Sequence, residues 1–150
     1  MARWVRHMLV ASVLGACLAA GWAGQGLQPR LNRLLGLNRV VVLYFPHRSE
    51  EYLMPELREL PARRVNPPGI VAELLKGPAS PHLRAPLPPG TRVRRVLREG
   101  DTITVDLAPL PRPFGGGATE EVLSVFSVVN SLAELPGVRR VRFRLAGEPL

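Results

Sequence analysis

From Arg140 to Leu145 the chain reads RVRFRL, a strict alternation of arginine with Val141, Phe143 and Leu145. Successive side chains of a strand point to opposite faces, so this pattern suits a strand that is dry on one side and wet on the other. The three arginines cannot share a core with the residues between them. The sheet must therefore be covered on one face and open on the other. A chain of 150 residues with 46% hydrophobic content supplies one core of ordinary size and no second domain.

The segments before this strand predict what covers it. NRVVVLYFP, residues 38 to 46, is β-branched and aromatic on both alternate sets, which predicts a central strand. Residues 51 to 60, EYLMPELREL, are extended in character, and Pro55 marks them as an edge strand or an irregular hairpin arm. NPPGIVAELLKGP gives a helix with Asn66 as cap, Pro67 at its first position, Ile70 and Val71 facing Leu74 and Leu75, and a stop at Gly77-Pro78. TRVRRVLREGDTITVDL is a hairpin about Glu-Gly-Asp, with Ile103, Val105 and Leu107 inward. A second helix follows, with Thr119 as cap, Glu120 and Glu121 favoured by the dipole, and Val122, Val125, Phe126, Val129 and Leu132 as the buried stripe. Pro136-Gly137 ends it. The fold class is α+β: a small mixed sheet with two helices on one face, in the order β-(β)-α-β-β-α-β of a split βαβ layout. The 16 prolines and 14 glycines fill the connections.

The chain opens with MARWVRHMLVASVLGACLAAGWAGQG, in which Arg3 and Arg6 precede an uncharged run from 8 to 24. A basic start followed by an apolar run is an export or anchoring signal, so residues 1 to 24 read as signal peptide or membrane anchor. Residues 25 to 37 read as a tether with a turn of helix around 31 to 35, and residues 38 to 148 as the folded domain. Leu14-Gly15-Ala16-Cys17 resembles a lipobox, which makes Cys17 a lipidation candidate. An uncleaved anchor and a cleavage near Ala23 are the alternatives. Cys17 is the only cysteine, so the folded part has no disulfide and no thiolate metal site. The domain is expected on the outer face of the cytoplasmic membrane.

Catalytic chemistry has few residues to draw on. His47 and His82 stand beside prolines, and neither lies at metal-ligand spacing from another ligand. Asp101 belongs to a turn and Asp106 to the outward set of its strand; solvation explains both. GGGATEE leads glycines into a helix start, but it matches neither phosphate-loop nor dinucleotide spacing. The net charge of +8 is carried by arginine, with Lys76 the only lysine, and favours anionic partners. Nucleic acid is not expected, since no aromatic residue interleaves with the arginines in the way that stacks bases and the leader exports the chain. Arg140, Arg142 and Arg144, with Arg94 and Arg98 on the neighbouring strand, are the candidate partner-binding residues. Asn130 is set in an apolar helix, where it is expected to hydrogen-bond a loop or strand end.

VVVLYFP, YLMPELREL, ELLKGP, PLPPGTRVRRVLREGDTITVDL and VFSVVNSLAELPGVRRVRF, taken in order, resemble the GerMN (sporulation and spore germination) domain family, present here as a single copy. The motif residues Gly77, Pro78, Asn130, Leu132, Pro136 and Gly137 carry the match as structural positions, and the family more often has threonine where Ser131 stands. The resemblance implies a non-enzymatic, membrane-tethered domain similar to the ring-building motifs of secretion and sporulation channels. It brings no catalytic residue, cofactor or metal. The expected partner is an envelope protein or another copy of the domain. Binding or hydrolysis of wall material is the alternative.

Overall fold

A computed structural model describes residues 36–108 and 117–149. The leader with Cys17, most of the tether, and PFGG before the second helix lie outside the described residues. No helix among the described residues is long and apolar enough to cross a membrane.

The elements run β1 (Asn38–Pro46), β2 (Leu53–Pro61), a 3₁₀ turn (Ala62–Arg64), α1 (Pro67–Lys76), β3 (Val93–Glu99), β4 (Thr102–Leu107), α2 (Gly117–Ala133), β5 (Arg140–Leu145) and β6 (Glu148–Pro149). This is the expected α+β order with one addition, β6. It follows Ala146 and Gly147, whose φ values of 55° and 94° suit a tight two-residue hairpin turn. Among the described residues the sheet is divided in two: β1 pairs with β2, and the second sheet runs β3-β4-β5-β6. β4 is antiparallel to β3 and parallel to β5, and β5 is antiparallel to β6. The sheet is thus mixed, as expected, with β5 parallel to β4. Parallel neighbours need a crossover, and α2 is that crossover.

β1 is not the central strand its two apolar faces predict. Val41, Leu43 and Phe45 enter the core, but beyond Tyr44 the strand meets α2 in place of a third strand. One core holds both sheets together, with Leu43, Phe45, Ile70, Leu74, Ile103, Val105, Val128 and Leu132 all at its centre. The inward set of β4 is the predicted one. In α1, Asn66 Oδ1 accepts the Gly69 N–H at 2.9 Å, and Ile70, Val71 and Leu74 are buried. Leu75 is exposed, and Glu73 is buried in its place.

The face of α2 is also corrected. Leu123, Ser124, Ser127, Val128, Ser131 and Leu132 are buried, while Val122 and Phe126 from the predicted stripe are exposed. The cause lies in β1. Tyr44 turns its amide and carbonyl towards the helix, and a strand edge needs hydrogen-bond partners that valine cannot give. Ser131 Oγ accepts the Tyr44 N–H at 2.9 Å and donates to the Ser127 carbonyl at 2.7 Å. Ser127 Oγ donates to the Tyr44 carbonyl. The helix starts at Gly117, so Thr119 lies inside its first turn and is not the cap.

Candidate interaction surface

The register of the second sheet sorts its residues by face. Ile103, Val105 and Leu107 pair with Val141, Phe143 and Leu145 on the core side. Thr102, Thr104 and Asp106 pair with Arg140, Arg142 and Arg144 on the other side, where Arg95, Leu97 and Glu99 of β3 join them. Both helices pack on the core side, so this outer face stays open, and all three β5 arginines are exposed.

Irregular pairing between Val93 and Arg95 lets Arg94 reach Asp106 Oδ2 at 3.7 Å, which brings Arg94 to the arginine face. Arg98 does not belong there. It stands opposite Ile103 and bends back at the sheet end, donating to the Pro136 carbonyl at 2.6 Å and the Gly100 carbonyl at 3.1 Å. Arg140 meets Asp101 at 3.5 Å between largely exposed side chains, a pair of little energetic weight. Among the described residues neither Arg142 nor Arg144 meets an acid, and the face is net positive.

The acids considered for catalysis are dispersed. Asp106 accepts the Gly147 N–H at 3.0 Å and faces Arg94; Asp101 accepts the Thr102 hydroxyl at 3.0 Å and faces Arg140. Glu121 stands apart on α2, and Glu120 pairs with Arg84 at 2.7 Å. His47 stacks on Tyr52 with ring centroids 5.2 Å apart, and His82 is exposed in its loop. Among the described residues no three His, Cys, Asp or Glu side chains gather as a metal site.

The motif positions have structural work. Gly77 ends α1 with φ 82°, and its carbonyl accepts Arg58 Nη2 at 3.0 Å before Pro78 blocks further helix. Gly137 turns the chain with φ 75°, beside the Pro136 carbonyl held by Arg98. Leu132 is fully buried. Asn130 is half-buried and makes no side-chain hydrogen bond among the described residues; the bond expected of it is made by its neighbour Ser131.

Sequence reasoning missed a polar cluster behind α1. The buried Glu73 carboxylate meets Lys76 at 2.6 Å, Arg64 at 3.1 Å and Arg58 at 3.4 Å. Burial alone would raise its pKa, but the three cations outweigh burial and hold it below the ordinary value. Glu56 is likewise lowered: burial opposes ionisation, and the Ser80 and Ala79 amides with Arg58 more than offset it. Arg58 also lies 5.6 Å from the Phe45 ring centroid and so ties β2 to both α1 and the core. The acid of ELLKGP was the available signal.

The family model for sporulation and spore germination, Germane, matches residues 42–150. The chain belongs to this family. Among solved structures, the first GerMN domain of the sporulation protein GerM from Bacillus subtilis is similar at 23% identity and a TM-score of 0.59, over 75% of this chain and 86% of that one. The tandem GerMN domains of the same protein match at 18% identity and a TM-score of 0.58, over 76% of this chain and 41% of theirs. A Clostridium perfringens protein provisionally named a lipoprotein matches at 16% identity and 0.53, over 75% and 78%. No curated protein sequence matches the chain. At these identities the structural likeness establishes the Germane fold alone.

Proposed function

We propose that this Germane domain is a non-catalytic assembly module, tethered by its leader to the outer face of the cytoplasmic membrane, which docks an acidic envelope protein on its arginine face. The observation that carries the reading is the open outer face of the β3-β4-β5 sheet, where Arg142 and Arg144 stand exposed and form no ion pair among the described residues, Asp106 beside Arg144 being turned to Arg94. Like charges on one strand face repel unless an anion answers them, and a surface of this kind governs association rate and specificity. Membership of a sporulation and germination family supports a role in such an assembly, and the lipoprotein name of a structural relative supports the tether.

The test is a photo-crosslinking residue at Leu97, an exposed outward position of β3 among the arginines. In intact cells it should trap one acidic envelope protein. The same residue at Leu57, exposed on β2 in the other sheet, should not. Equal trapping at both positions, or none at Leu97, would refute the reading.

A further inference from the structure

The outward side of α2 has the composition of an inward one. Val122 and Phe126 are 50% and 51% exposed, Ala118 and Ala133 are exposed beside them, and Val125 and Val129 are half-buried. Residues 122 to 133 carry no charge. A helix that buries Leu123, Val128 and Leu132 on one side and presents valine and phenylalanine on the other carries large apolar side chains on both sides, which is the pattern of a helix covered on both sides.

A groove of about 770 Å³ runs beside this ridge. Ser124 and Val125 form its helix wall, and Val141, Phe143 and Leu145 its strand wall. Val125 belongs to both ridge and groove, so the two lie side by side on one element. Their rims are charged in opposite senses, with Glu121 on the helix wall and Arg142 and Arg144 on the strand wall. Among the described residues none of these three has an ion-pair partner.

We infer that α2 is the contact face of a two-fold pair formed with a second copy of this chain. An isologous interface requires one patch to complement itself. Adjacent ridge and groove meet that requirement: a two-fold axis lays each ridge in the other copy's groove and sets each Glu121 against the other copy's Arg142 and Arg144. The buried part of such a contact is apolar with aromatic anchors, and its rim is charged, as in stable protein interfaces. Arg142 and Arg144 are shared with the arginine face, so the two readings are told apart at Val122 and Phe126, whose replacement breaks self-pairing and leaves every arginine of that face in place.

Sedimentation equilibrium of the full chain in density-matched detergent tests this. The wild-type chain should form dimers, and Val122→Asp and Phe126→Asp should each sediment as monomers with unchanged circular dichroism, since both side chains are half outside the fold. Glu121→Arg should weaken pairing about tenfold, and adding Arg142→Glu and Arg144→Glu to it should restore the dimer. A monomeric wild type overturns the inference. So does a dimer that survives both aspartate variants, which would place the contact in the leader, or a triple variant no tighter than Glu121→Arg.

Discussion

The Tyr44 amide in β1 donates to Ser131 Oγ in α2 at 2.9 Å, across 87 residues of sequence. With Ser127 closing the ring through the Tyr44 carbonyl, the helix stands where a neighbouring strand would otherwise pair. Ser131→Ala should cost about 1–3 kcal/mol, because the part-buried amide is left without a partner. Ser131→Thr keeps the hydroxyl and should stay within about 1 kcal/mol of wild type. Urea denaturation followed by circular dichroism measures both. An alanine variant as stable as wild type would show that water replaces the hydroxyl.

Glu73 and Glu56 give the fold an acid-sensitive seam. Both carboxylates are held below their ordinary value of 4.5. A carboxyl depressed in the folded state contributes stability that is fully present above the unfolded value and lost as pH falls through the folded one. Stability should therefore hold above about pH 5 and decline below 4.5. Glu73→Gln should flatten that decline and lower stability at pH 7 by about 3 kcal/mol, because Arg58 and Arg64 lose the charge they surround. Melting curves at pH 7 and pH 4 decide it; a variant with the wild-type pH slope would remove Glu73 from the seam.

Most element identities, and the ends of α1, were legible because local chemistry sets them; the start of α2 at Gly117 and the short β6 were not. Asn66 and Pro67 start α1, Gly77 stops it, and Ile103, Val105 and Leu107 show their inward set by period alone. The inward face of α2 was not legible. Its valine and phenylalanine stripe has the stronger apolar pattern, yet the serine side turns inward because Tyr44, far away in sequence, needs hydroxyl partners. Burial of Glu73 was hidden for the same reason, since Arg58 and Arg64 come from β2 and the turn after it. The three β5 arginines were placed correctly by alternation. Arg98 was misplaced because the register sets it opposite inward-facing Ile103, on the other face from Arg95 and Leu97, and at the strand end its side chain turns to the Pro136 carbonyl.

The tether has its own test in Cys17. Metabolic labelling with a radioactive fatty acid should mark the wild-type chain, and Cys17→Ser should abolish the label and raise the protein's recovery in the soluble fraction. Label that persists in the serine variant would refute acylation at Cys17, and an unlabelled, membrane-bound wild type would point to an uncleaved anchor.

The most direct measurement of the central claim is the salt dependence of partner capture from cell envelopes, made with the wild-type chain and with Arg140→Glu, Arg142→Glu and Arg144→Glu combined. Exposed charges act over about 8 Å at physiological ionic strength and over only about 3 Å at 1 M salt. The wild-type chain should capture an acidic envelope protein in low salt and lose it as salt is raised. The reversed variant, with an unchanged circular dichroism spectrum, should capture it at no salt concentration. Equal capture by both chains, with the same salt profile, would contradict the account and leave the arginine face as solvated surface.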